Sequence, residues 1–402
     1  MTPRSLVACV LACAALAGAC RDGTDGGLGA ARQDDSEATT TTESSTTGSP
    51  TTMSTTTSTT STTATSTTAA ATTTRAPAAT APPITAPPAT AATEPPAPPA
   101  PPVTSPKPTG ATPTLASCPL FPANNYWHAD VSGLAVHPNS ANFVASIGAT
   151  GKLKADFGSG LWDGGPIGIP YLVVPQGQAE VPVSFEYADE SDPGPYPIPA
   201  DAPIEGGAAS DGDRHILVVE AGTCRLYETW STYPGGAGWK AGSGAVFDLR
   251  SNALRPAGWT SSDAAGLPVL PGLVRYDEVA AGSIDHAIRI TVPRTQKSYL
   301  WPARHYASSR TDPNLPPMGL WLRLRADFDI SGFPRDAQVI LQALKVHGAI
   351  VADNGSPWYL SGAPDDRWDN DVLATLRGVP GSAFDAVDTS GLVASPNSGA
   401  LR

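Results

Sequence analysis

The chain carries no GxSxG elbow, no HExxH and no phosphate-cradling glycine loop. Residues able to do chemistry must therefore be sought where a polar side chain interrupts an apolar pattern. The first such place is DGDRHILVVEAGTCRLYETW, from Asp211 to Trp230, which reads as a hairpin turning at Glu220 to Thr223. With Val219 opposite Cys224, Leu217 faces Leu226 and His215 faces Glu228, all on one face because strand side chains alternate. A histidine and a carboxylate on an apolar face are costly unless hydrogen-bonded to each other or to a ligand. At a pocket mouth such a pair would work as general acid and base, with burial tuning both pKa values. The structural alternative is a hydrogen bond that closes the end of a sheet.

The second place is RYDEVAAGSIDHAIRITV, from Arg275 to Val292. A strand over Ile284 to Val292 would put His286 on the face of Ile284, Ile288 and Ile290, with Arg289 on the other. Asp277 and Glu278, in the turn before it, could supply carboxylates to the same pocket. A catalytic set drawn from His215, Glu228, Asp277, Glu278 and His286 is thus expected. Trp259, Trp301 and Arg289 are the candidates for contacting substrate. Three histidines (His215, His286 and His305) with Glu228 could in principle bind zinc, but nothing in their spacing resembles a zinc site, so neither a metal nor a cofactor is expected. The acidic groups Asp189/Glu190/Asp192 and Asp365/Asp366/Asp369/Asp371 read as solvated loops. Trp127, Trp162, Trp239, Trp358 and Trp368 lie in or beside Gly/Pro-rich segments, where they would either stack on sugars or plug the ends of the sheets.

The elements that must position these residues are mostly strands. Short β-branched or alternating runs recur at 169–174, 181–187, 215–219, 224–230, 245–249, 284–292, 299–301, 320–324, 349–352 and 358–360, separated by Gly/Pro-rich loops. Helices are expected over Pro334 to His347, stopped by Gly348, over Asn370 to Arg377, and over Ser140 to Ile147. The pattern predicts a mainly β domain, a sandwich or barrel with a few short helices.

The ends of the chain define its setting. Residues 5–19 are an apolar stretch behind Arg4, too short to span a bilayer but suited to a signal peptide over 1–19. The small residues Ala17-Gly18-Ala19 before Cys20 resemble the lipobox of bacterial lipoproteins, which implies lipidation of Cys20; a plain secretory signal cut near Ala19 is the alternative. Residues 20–117 are dominated by Thr, Ser, Ala and Pro and read as a disordered stalk with a reach on the order of 200 Å. The globular domain spans 118–392, and 393–402 read as a disordered tail. Cys118 and Cys224 are left as an even pair in an exported chain, hence a disulfide. A formal charge of −12 and a pI of 4.9 argue against nucleic acid and against a basic membrane-binding face, leaving the lipid as the only membrane anchor.

The runs WDGGPIGIPY, YADESDPGPYPIPADAPIEGG, SDGDRHILVV, RYDEVAAGSIDHAIRITVPRT and NLPPMGLWLRLRADFDISGF resemble a family of secreted proteins of actinobacteria and other soil bacteria. The resemblance implies export and one undivided domain over 118–392, and it carries no activity with it. The reading that follows is a monomeric, lipid-anchored protein on the outer face of the cell membrane. Its domain would be a glycoside hydrolase acting on cell-wall or environmental polysaccharide, or else a non-catalytic glycan-binding module.

Overall fold

Strand Ile216–Glu220 is apolar at every position but its last, the mark of a strand buried on both faces. That is its situation in the computed structural model, which describes residues 114–402. The expected signal segment, Cys20 and the Thr/Ser/Pro stretch lie outside the described residues. The strands that build the site are numbered here in chain order: β1 Lys154–Asp156, β2 Tyr171–Val174, β3 Ile216–Glu220, β4 Arg225–Trp230 and β5 Ser243–Asp248. They are followed by β6 Ile288–Val292, β7 Trp321–Leu324, β8 Ala349–Asn354, β9 Tyr359–Ser361 and β10 Phe384–Val387. The first sheet runs β5-β4-β3-β2, and the second runs β10-β7-β8-β6-β9-β1. Both are mixed, with β2 parallel to β3, β6 to β8, and β9 to β1. This is the mainly β domain with a few short helices that the pattern predicts.

The first sheet separates two apolar layers. Leu217, Val219 and Leu226 join the main core with the second sheet, whereas Ile216 and Val218 pack with Tyr196, Ile198 and Trp239 in a smaller one. Helix α1 (Ser140–Ile147) lies where the sequence expects it. So does α3 (Arg335–Val346), which buries Ala337, Ile340, Leu341 and Leu344. Gly348 then ends that turn with φ +68°, and a Cβ there would approach the Leu322 carbonyl oxygen to 2.7 Å. Helix α4 (Asn370–Ala374) continues as a 3-10 turn to Gly378.

Several expectations need correcting. Asp277 and Glu278 belong to a helix, α2 (Tyr276–Ala281), rather than a turn; they occupy its first turn, where acidic side chains complement the helix dipole. The strand expected over 284–292 begins only at Ile288, so His286 is not on a strand face. Residues 299–301 form a single bridge, Tyr299 to Met318, in place of a strand. The last ten residues are not a free tail. Ser398 and Ala400 bridge to Ala253 and Asn125, and the Trp301 indole donates to the Ser398 carbonyl at 2.9 Å. Cys118 and Cys224 are joined, with their Cα atoms 5.3 Å apart. No described helix is long and apolar enough to cross a membrane.

Candidate functional site

The site begins with a fault in the second sheet. The ladder between β6 and β8 pairs Ile290 with Val351 but Thr291 with Asp353, so Ala352 is the extra residue on β8. A bulge of this kind re-aims the side chains beyond it, and it brings Asp353 and Asn354 into a cleft instead of continuing the apolar run of Ala349 to Ala352. From β6, the buried Arg289 reaches the same place. Its Nε and Nη2 donate to the two carboxylate oxygens of Asp263 at 2.9 Å each, Nη2 also donates to Asp353 at 3.2 Å, and Nη1 to Ser361 Oγ at 2.8 Å. Asp263 comes from the loop after β5.

The opposite wall comes from the segment leading into β3. Arg214 adopts φ +53°, a conformation costing on the order of 1–3 kcal/mol in a non-glycine residue. Its side chain repays the strain by donating to the carbonyls of Thr232, Ala208 and Ser210 at 2.7–3.0 Å. On either side of it, Asp213 and His215 both line the cleft. His215 Nδ1 is 2.6 Å from Glu205 Oε2, and Nε2 is 2.8 Å from the Ser262 carbonyl oxygen. Asp213 accepts the Trp230 indole N–H at 3.0 Å.

Two cavities meet here. One, of about 220 Å³, is lined by Asp156, Glu205, Asp213, His215, Arg289, Asp353 and Tyr359. The other, of about 90 Å³, is lined by Tyr187, Trp230, Ser243, residues 260–264 and His305. Asp213, Asp353 and Asn354 border both. Tyr187 and Trp230 stack with ring centroids 6.4 Å apart, forming an aromatic wall. Burial, reinforced by the charges of Asp263 and Asp213, holds the Asp353 carboxyl up at about 7 despite the Arg289 guanidinium. For His215, burial alone would lower the pKa, but the Glu205 carboxylate outweighs it and lifts the ring to about 10. Among the described residues, no group of three or more His, Cys, Asp or Glu side chains could hold a metal ion.

Of the proposed catalytic and substrate-contacting residues, only His215 and Arg289 line this cleft, while His305, weighed as a zinc ligand, lines the smaller cavity. His215 and Glu228 share a face but do not bond to each other. The ladder pairs Leu217 with Glu228 and Glu220 with Arg225, two residues out of the expected register, which makes His215 and Glu228 diagonal neighbours. The turn is Ala221 to Cys224, closed by Gly222 at φ +86° and Cys224 at φ +55°. Ser262 lies between the two side chains, its carbonyl taken by His215 and its hydroxyl donating to Glu228 at 2.8 Å. Glu228 is fully buried and accepts the backbone N–H groups of Val269 and Leu270 at 2.9–3.0 Å, so it fastens a loop.

His286 and Glu278 do not line the cleft. They pair with each other at 3.3 Å, and Glu278 also pairs with Arg275. Although burial raises the Glu278 carboxyl, Arg275 and His286 outweigh it and lower the pKa. Asp277 is exposed and pairs with Arg367 at 2.8 Å. Trp259 and Trp301 do not line it either: Trp259 lies under the Arg255 guanidinium at 5.5 Å, and Trp301 packs edge-on against Tyr126. Trp127, Trp239, Trp358 and Trp368 are core residues. The acidic loops are largely solvated, as expected, with Asp189, Asp366, Asp369 and Asp371 exposed; Asp192 pairs with Arg255, and Asp369 also caps α4.

Sequence reasoning passed over Glu205, Asp213, Asp263 and Asp353. A usable signal existed for one of them, since Asp353 follows the apolar run AIVA at the carboxyl end of a strand, where open sheets commonly place their sites. Comparison of the chain with protein families, curated proteins and solved structures returns no match. The functional reading therefore rests on the cleft.

Proposed function

We propose that the domain is a glycan-active hydrolase in which Asp353 is the general acid and Asp213 the partner carboxylate. The observation that carries this reading is the position of these two aspartates on the border between a carboxylate-rich cavity and an aromatic-walled one. Glycosidases commonly work with one carboxyl that keeps its proton near neutral pH and a second that stays ionised across the scissile bond. Asp353, with its carboxyl held at about 7, suits the first role. It would protonate the leaving glycosidic oxygen as the bond to the anomeric carbon breaks. Asp213 would stabilise the positive charge developing on that carbon; water would then add there and give its proton to the Asp353 carboxylate, restoring the acid. The Tyr187–Trp230 wall and the hydroxyls of Ser243 and Thr260 would receive the neighbouring sugar.

The aromatic wall equally favours the second reading, a glycan-binding module without turnover. Incubating the purified protein with a panel of cell-wall and environmental polysaccharides separates the two. Release of reducing ends, abolished in Asp353→Asn, supports the hydrolase; binding without release, unchanged in that variant, supports the module; neither binding nor release overturns both. The apolar segment before Cys20 supports display of this domain at the outer face of the cell membrane on a lipidated cysteine.

A further inference from the structure

We propose that Asp263, which no sequence pattern singled out, is a positioning residue of this site: by holding the two-pronged edge of Arg289 it leaves Asp353 free to carry a proton into the cleft. The proposal rests on reading Asp353 as the acid. Arg289 is the guanidinium that Asp353 touches, and its charge is divided unequally. Asp263 receives two parallel N–H bonds at 2.9 Å, the strongest geometry a guanidinium offers a carboxylate. Asp353 receives one bond, at 3.2 Å, and its Oδ1 is taken by the backbone N–H of Asn354 at 2.7 Å.

The arrangement is fastened on both sides. Ser361 Oγ fixes Nη1 of Arg289, and the Asp263 backbone N–H donates to Ser261 Oγ at 2.9 Å. The loop that carries Asp263 is tied to β8 by Ala265 N–H donating to the carbonyl of Ala352, the residue before Asp353. Asp263 therefore keeps its distance from Asp353 as well as its grip on Arg289. The charged groups facing Asp353 are Arg289 from β6, Asp263 from the loop after β5, and Asp213 from the segment before β3. Beyond them the cavity presents His215 with Glu205, and Asp156. Without Asp263, Arg289 would be an uncompensated cation against Asp353 and would draw it into a full ion pair. Burial lifts the Asp353 carboxyl to about 7, and Asp263 offsets part of the Arg289 charge that pulls it down.

The test is a carboxyl NMR titration of the full chain labelled with 13C at the aspartate carboxyls, with Asp353→Asn assigning the resonance. In Asp263→Asn the Asp353 midpoint should fall by about one to three pH units, the usual effect of a close opposite charge. In the double variant Asp263→Asn/Arg289→Gln, which removes both charges and so leaves no unpaired buried cation, it should stay within about half a unit of the parent. An unmoved midpoint in the single variant, or a rise of more than about one unit in the double, overturns the proposal. A purely structural Asp263 would lower the melting temperature and leave the midpoint in place, which also overturns it. The titration needs no substrate, so its failure is distinct from a failure to find hydrolysis.

Discussion

Both ring nitrogens of His215 meet oxygens that can only accept, an ionised carboxylate and a backbone carbonyl, so the ring satisfies both only as the imidazolium. Its folded pKa of about 10 lies above the ordinary 6.5, and the native state therefore binds the proton more tightly than the unfolded chain does. The stability it contributes is complete below pH 6.5 and is lost as the pH rises through about 10. Melting temperature should decline across that window in the parent, and Glu205→Gln should flatten the decline. The same substitution should cost up to about 3 kcal/mol at neutral pH, because the buried ring loses the carboxylate that keeps it protonated and is left facing a carbonyl and an amide; urea titrations at several pH values would show it. For Asp353, the acid of the proposed hydrolase, the consequence would be catalytic. Hydrolysis should weaken as the pH rises past about 7, and Asp353→Asn should cut turnover roughly a hundredfold or more at constant fold. His215 was legible as a polar residue interrupting an apolar strand face, and Arg289 as a cation on the opposite face of its strand. Glu205, Asp213 and Asp263 were not, because what makes them a site is the meeting of the loop before β3 with the loop after β5, and no local period encodes that.

At the scale of elements, Glu228 fastens the loop that carries Ser262 and Asp263. It is fully buried; burial raises its pKa, while the N–H groups of Leu270 and Val269 and the Ser262 hydroxyl pull the other way. Glu228→Gln keeps the shape but turns one acceptor into a donor facing N–H groups. It should cost about 1–3 kcal/mol in denaturant titrations, the penalty of a buried polar group without its partner. The disulfide is the second fastening. Replacing Cys118 and Cys224 together by serine should lose at most about 4–5 kcal/mol for a loop of this length. Pairing and periodicity made these elements readable: α1 and α3 followed their apolar faces, and most strands their β-branched runs. The hairpin register was misread by two residues because its turn depends on a left-handed Cys224, a conformation that the residue's type does not announce. The bulge at Ala352 escaped notice for the same kind of reason, being set by what β8 pairs with.

For the whole molecule the expectation is an exported domain held at the membrane by its first mature residue. Cys20→Ser should move the protein from the membrane fraction to the medium and abolish labelling by a fatty-acid analogue. Unchanged fractionation and labelling would remove the anchor. The domain limits were readable on one side only. Cys118 marks the change in composition, but the last ten residues resemble a polar tail while bridging Asn125 and Ala253. Polar side chains there conceal backbone hydrogen bonds, which composition does not record.

The bond between Cys118 and Cys224 closes 106 residues of sequence into a covalent loop. Under mechanical load applied through the two ends of the domain, that loop is hidden length: tension crosses the sulfur bridge and bypasses β1, β2 and β3. At about 3.3–3.6 Å per residue, roughly 350–380 Å of contour stays locked until the bridge is reduced. Single-molecule extension should therefore give a final length longer by that amount under reducing conditions than under oxidising ones. The carboxylates that the loop contributes to the cleft, Asp156, Glu205 and Asp213, would remain shielded from direct tension.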